Sequence, residues 1–318
     1  MTFAGERSAR ILHSGASPCA PTMSHVLVLV AVLGVYLALG VVYQFATPIF
    51  EASDELVHYP YVKYVADGRG LPPPVADPVL NPAQQEATQP PLYYAIGALA
   101  TFWLDTGPAG RPYVVNPHAR IGEPSATDNR NMVVPADASQ TRTRTVDLAV
   151  RIVRAISLLM GAGTVLLTYL IARAAAPGRP DLALGAAAVN ATIPGFLFIS
   201  ASVNNDNLVT LLCSLAVWLL LRLVAERAGL PSVRALGLLG LVVGAAALTK
   251  LGGLLLIPLA AVGLAIIAAT ASLSGGRPHW ASLPWSWLAR AYGVVFGVAF
   301  AVAGWWYVRN WIVYGDPT

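Results

Sequence analysis

Residues Ala235–Ala271 form a run of 37 residues with a single charge, Lys250. A bilayer's hydrocarbon core is about 30 Å thick, and a helix of about 20 apolar residues crosses it. The run is too long for one crossing and suits two helices joined at Lys250-Leu251-Gly252-Gly253. Similar runs recur along the chain, which is 56% hydrophobic and 11% charged over its 318 residues. A soluble domain carries about 25% charged residues. The chain therefore reads as an all-α integral membrane protein.

The first predicted helix is Ser24–Ala46, ended by Thr47-Pro48. Its 23 residues exceed the apolar core of a signal peptide, about 7–15 residues, so it reads as a retained helix. Residues 1–23 read as a disordered cytoplasmic tail, with Met23 an alternative start. Residues 24–318 read as one multi-helix membrane domain, in which 47–147 form a large first loop. Within that loop Pro91–Leu104 is apolar but only 14 residues long, which suits an interfacial helix. Further helices are expected at Leu148–Ala176, Leu182–Ala201, Leu208–Ala225 and Ala291–Val308, about seven spans in all.

Short cytoplasmic loops collect Lys and Arg. With a cytoplasmic N-terminus the inner loops hold Arg173, Arg179, Arg222, Arg227, Arg234, Arg277 and Arg290, and Arg7 and Arg10 fall inside as well. The short outer connections hold only Lys250 and Arg309. The net charge of +4 is thus topology signal, and with no block of five like charges it does not point to nucleic acid. Cys19 and Cys213 offer neither a disulfide framework nor a metal cluster.

This orientation puts every unusual polar cluster on the outer face: Glu51-Ala52-Ser53-Asp54-Glu55, Gln89-Pro90-Pro91, Asn204-Asn205-Asp206-Asn207, Lys250 and Arg309. Polar groups beside lipid are costly and tend to mark function. Each cluster also has a structural explanation. Ser53 or Asp54 suits a helix N-cap, and Asp206 or Asn207 a capped turn. Lys250 suits a side chain snorkelling to the surface, and Arg309, among Trp305, Trp306, Tyr307 and Trp311, an interfacial anchor. Three acids in five residues exceed what capping needs, and Asp54 and His58 share a helical face. Asp54-Glu55-x-x-His58 is close to the zinc-protease pattern, but a zinc site needs a further ligand, and His118 has no spacing that recommends it.

These residues, in this order, resemble the GT-C superfamily of membrane glycosyltransferases, which includes protein O-mannosyltransferases and lipid A aminoarabinose transferases. The resemblance rests on Asp54-Glu55 after the first helix and Gln89-Pro90-Pro91-Leu92-Tyr93-Tyr94. It continues through Arg151 with Arg154-Ala155-Ile156-Ser157, the Asn204–Asp206 turn, Lys250, and Arg309-Asn310…Tyr314-Gly315-Asp316-Pro317. It covers about residues 24–318 and is greatest to a mostly uncharacterised bacterial branch. Gln89 stands where relatives often carry His or Lys. Seven helices are fewer than is usual there, so a C-terminally truncated member is expected.

The resemblance implies a transferase of the bacterial plasma membrane, working on the extracytoplasmic face. The donor would be a sugar on a polyprenyl-phosphate carrier held in the bilayer. The acceptor would be a hydroxyl of a glycan, lipid or protein. Asp54 is the implied base, with Glu55 beside it. His58, Gln89, Arg151, Arg154, Asn204, Asp206, Lys250 and Arg309 are the implied substrate-binding residues, with Lys250 and Arg309 on the phosphate. No cofactor is implied for certain, and a divalent metal stays open. The competing classes are a transporter, disfavoured by helix interiors nearly free of charge, and a non-catalytic membrane scaffold, against which the acidic cluster argues.

Overall fold

Inside a bilayer, backbone N–H and C=O groups find partners only within the chain, so long apolar runs become helices. The computed structural model describes residues 22–52, 54–77, 79–107, 111–120, 123, 125, 127–134, 141–225, 229–272 and 283–318. The tail with Arg7, Arg10 and Cys19 lies outside the described residues, as do Ser53, Arg227 and Arg277.

Helix α1 is Met23–Ala46, α2 Glu55–Ala66 and α3 Leu92–Thr101. Then come a two-stranded hairpin of β1 (Val114–Val115) and β2 (Val133–Val134), and the long α4, Thr141–Ala175. Helices α5 (Pro180–Thr192) and α6 (Pro194–Ser200) follow, then α7 (Asp206–Ala225), α8 (Val233–Ala247), α9 (Leu256–Ala271) and α10 (Trp285–Tyr314). The protein is an all-α multi-pass membrane protein. Among the described residues, five helical stretches are long and apolar enough to cross a bilayer: Met23–Ala46, Arg144–Ala175, Asp206–Ala225, Leu251–Ala271 and Trp285–Tyr314.

The count of seven spans differs from this in two places. The stretch read as one helix, Leu182–Ala201, is two helices bent by 65°. Pro194 begins α6 and Ile193 before it is extended, because a residue preceding proline is pushed out of the helical region. Counted as one broken span, the pair makes six. The other is α8, whose 15 residues are too few to cross alone.

Apolar clusters hold the bundle, two of them between the long helices. One joins α7, α8, α9 and α10 through Leu220, Leu236, Leu239, Val243, Leu264 and Val295. The other joins α1, α4, α5 and α6 through Tyr36, Leu158, Val165, Ala187 and Leu197. Helix association in lipid relies on close packing. A Cβ on Gly240 would lie 2.5 Å from the Val295 carbonyl oxygen, and one on Gly244 would lie 2.9 Å from Ala299 Cα. This pair of glycines lets α8 lie directly on α10.

The large first loop is packed on one end of the bundle. Tyr59, Tyr61 and Val62 of α2 and Tyr93 and Tyr94 of α3 share a core with Val150 and Val153 of α4. The Glu51 carboxylate accepts hydrogen bonds from the backbone N–H groups of Met132 (2.8 Å) and Val133 (3.1 Å), which fastens the hairpin to the end of α1. The Tyr113 hydroxyl donates to the Leu56 carbonyl. Lys63 is buried, but its ammonium donates to Asp67, the Thr106 hydroxyl and the Gly107 carbonyl, which pins the chain after α3.

Candidate active site

Asp54 and Glu55, adjacent in sequence, face different surroundings. Glu55 is fully buried. Its Oε1 accepts from Arg154 Nε (2.7 Å) and the Val203 amide (3.1 Å), and its Oε2 from Arg154 Nη2 (2.6 Å) and the Phe50 amide (2.9 Å). Arg154 is equally buried and gives its other N–H groups to the carbonyls of Gln44 (2.9 Å), Thr47 (2.9 Å) and Pro48 (3.0 Å). A guanidinium has five N–H donors, and all are used. The pair ties the end of α1, the start of α2, the middle of α4 and the turn before α7 to one another.

Asp54 is exposed and has a left-handed backbone, φ 58°. It occupies the N-cap position of α2, yet its side chain makes no capping bond. Its carboxylate is therefore not committed to the helix start.

One turn along α2, His58 is buried and places Nδ1 2.8 Å from the Tyr94 hydroxyl. That hydroxyl donates to Glu86 Oε2 at 3.2 Å, and His58 Nδ1 lies 3.5 Å from the same oxygen. Glu86 belongs to a 3-10 turn, Gln84–Thr88, in the first loop. Burial raises the Glu86 carboxyl above its ordinary pKa; Tyr94 and Lys250 oppose the shift, and Asp54 and Asp206 add to it. Burial lowers the His58 imidazole to about 3, helped by Lys250 and opposed by Asp206. His58 is therefore neutral at physiological pH. These mutual influences put Asp54, His58, Glu86, Asp206 and Lys250 in one electrostatic neighbourhood.

Lys250 reaches it from the break between α8 and α9. Leu251–Leu255 forms a 3-10 turn, and a Cβ on Gly253 would lie 2.2 Å from the Ala246 carbonyl oxygen, so only glycine fits there. Lys250 Nζ lies 2.6 Å from Asp206 Oδ1, in a partly exposed ion pair. Asp206 stands in the first turn of α7, where a negative charge suits the helix dipole. The α3 start joins the same place, since the Leu92 amide donates to the Leu248 carbonyl at 3.0 Å.

Other candidates have mainly internal partners. The Asn204 side chain accepts from the Asp206 backbone N–H (2.8 Å), and the Asn204 backbone N–H donates to the Tyr93 hydroxyl (3.0 Å). The Gln89 carbonyl accepts from the Tyr61 hydroxyl (3.3 Å), and its Oε1 lies 3.5 Å from Asn205 Nδ2. Arg309 bonds Asn310 (2.8 Å) and the Tyr314 hydroxyl (3.2 Å) and stacks on Trp306 and Tyr314, close enough to Tyr61 to act on it electrostatically. Arg151 is turned elsewhere: its guanidinium lies 4.5 Å from the Phe45 ring centre and acts on Asp147.

The structure thus brings Asp54, His58, Gln89, Asn204, Asp206 and Lys250 to one end of the bundle. It puts Glu55 and Arg154 beneath them and Arg151 aside. Glu86 and Tyr94 join the group without having been singled out as site residues. The sequence signal for Glu86 was a charge that the start of the short helix after Pro90-Pro91 does not require. Among the described residues, no group of three His, Cys, Asp or Glu is placed to hold a metal ion.

No curated protein and no solved structure matches the chain. A family profile described as dolichyl-phosphate-mannose-protein mannosyltransferase matches residues 146–306, about half of the chain. The match takes in Arg151, Arg154, Asn204, Asp206 and Lys250, and stops short of the loop that carries Asp54 and Glu86. The protein is a membrane glycosyltransferase of the GT-C type and belongs to the dolichyl-phosphate-mannose-protein mannosyltransferase family.

Proposed function

We propose that the protein transfers a sugar from a polyprenyl-phosphate carrier to an acceptor hydroxyl at the extracytoplasmic face of a bacterial plasma membrane. The observation that carries this reading is the uncommitted Asp54 carboxylate in the same neighbourhood as Lys250, at the end of a lipid-embedded bundle. The excess of Lys and Arg in the opposite loops supports a cytoplasmic N-terminus and an outer first loop.

The chemistry follows from charge. Asp54 takes the proton of the acceptor hydroxyl as that oxygen attacks the anomeric carbon. The new carbon–oxygen bond forms while the bond from the anomeric carbon to the phosphate oxygen breaks. The electron pair leaves with the polyprenyl phosphate, which gains negative charge. Lys250 stabilises that charge, with Arg309 as a second cation at the rim. In the present structure Lys250 holds Asp206, so donor binding exchanges one anion for another. His58, Gln89 and Asn204 shape the floor, and Glu55 with Arg154 holds the helices that carry them.

The test is a transfer assay in membranes containing the protein, supplied with labelled polyprenyl-phosphate pentoses and hexoses. Label is expected to pass from the lipid to a glycan, lipid or protein fraction, and to be lost with Asp54→Asn. Absence of transfer from every such donor overturns the reading.

A further inference from the structure

We propose that Glu86 binds the sugar of the donor, accepting hydrogen bonds from its hydroxyls through Oε1. The inference rests on the donor reading given above.

Three observations lead to it. First, Glu86 is oriented from behind. The Tyr94 hydroxyl donates to Oε2, and His58 Nδ1 stands behind that hydroxyl at 2.8 Å. The Tyr94 ring is fixed in turn by face-to-face stacking on Tyr61, with centroids 3.8 Å apart. Among the described residues, Oε1 has no hydrogen-bond partner. Second, the side chain is 12% exposed, so the carboxylate is largely withdrawn from water but not sealed from the cleft. Hydrogen bonds made there face little competition from solvent. Third, Glu86 feels both Asp54 and Lys250. In the proposed reaction the acceptor oxygen lies at Asp54 and the phosphate at Lys250. The ring that joins them lies between these two side chains, and both are within electrostatic reach of Glu86.

The chemistry selects the ligand. A carboxylate repels a lipid phosphate and offers nothing to a polyprenyl tail. It accepts strongly from hydroxyls, which a sugar supplies in pairs. Because His58 is neutral, it orients Glu86 without cancelling its charge.

The experiment compares two ligands on the full chain in lipid nanodiscs: a polyprenyl-phosphate sugar, drawn from a pentose and hexose panel, and the same polyprenyl phosphate without sugar. Hydrogen bonds to a charged group predict that the wild type binds the best sugar-bearing lipid about tenfold to a hundredfold more tightly than the bare one. Glu86→Ala is expected to erase that preference by weakening the sugar-bearing lipid, with no loss of affinity for the bare one. Tyr94→Phe, which keeps the ring and removes the donor to Oε2, is expected to reduce it in part. The preference is a ratio taken within one preparation, so a loss of folded protein cancels. If Glu86→Ala lowers both affinities equally or changes neither, Glu86 only braces its turn and the inference fails while the donor reading stands. If the wild type shows no preference for any sugar, the inference fails likewise. If the wild type binds neither ligand, the donor reading falls and takes this inference with it.

Discussion

The knot around Glu55 and Arg154 and the cleft around Asp54, Glu86, Asp206 and Lys250 are both built from acidic and basic side chains, one layer apart. In the knot both charges are fully buried, both carboxylate oxygens accept two bonds and every guanidinium N–H is used. In the cleft Asp54 is exposed and uncapped, Glu86 has one oxygen occupied, and Lys250 and Asp206 pair in partial contact with water. A buried charge left unpaired is costly, so a knot must be complete to exist at all. An incomplete set survives only where solvent or a ligand finishes it. Saturation thus separates residues that hold the fold from residues left available for chemistry, and it divides Asp54-Glu55 between the two.

The largest effect expected from this contrast lies in the knot. Arg154→Ala leaves the buried Glu55 carboxyl without its main partner, and frees three carbonyls at the end of α1. Breaking a buried pair by removing one partner costs about 3–5 kcal/mol. Arg154→Lys repairs it poorly, since an ammonium has three donors where five are used. Thermal unfolding in detergent and yield of membrane-inserted protein are expected to fall sharply for both variants and for Glu55→Gln. A Glu55→Gln protein of wild-type stability would break the distinction between the two layers.

Next comes Asp54→Asn. The side chain caps nothing and is exposed, so thermal unfolding is expected to stay at the wild-type value. Turnover is expected to fall about 10²–10⁴-fold, as for the loss of a general base. Donor affinity is expected to persist, because the proposed phosphate contact is Lys250. Normal turnover in this variant removes Asp54 from the mechanism.

How much of this was legible in the sequence depended on the range of the cause. Run length alone announced α1, α4, α7 and α10. The break at Lys250 was legible because a lone charge with Gly252-Gly253 interrupts an otherwise apolar stretch. The bend at Ile193 had a local signal in Pro194, outweighed by the apolar run around it. The saturation of Glu55 had none. Its partners Arg154 and Val203 lie 99 and 148 residues away, and no spacing within the first loop reveals them. Asp54 and Glu55 therefore looked alike until their partners were known. Glu86 was visible as a charge that a helix start does not require. Its link to His58 depends on α3 folding back on α2, which places Tyr94 between them.

The smallest effect, and the sharpest test of the cleft, concerns Asp206. Its carboxylate occupies Lys250 at 2.6 Å, where the proposed donor phosphate would bind. An anion that must be displaced opposes its replacement. An exposed pair is worth about 0–1 kcal/mol, so releasing Lys250 tightens donor binding by about fivefold at most. Asp206→Asn keeps the side chain's shape and the backbone bond to Asn204, and gives up only a favourable charge at the start of α7. Donor affinity is therefore expected to rise slightly in Asp206→Asn and to fall in Lys250→Met. Both differences should shrink with added salt, which screens exposed charges. If Asp206→Asn instead weakens the donor as much as Lys250→Met does, Asp206 serves to aim Lys250, and the pair belongs with the knot as a fixed support.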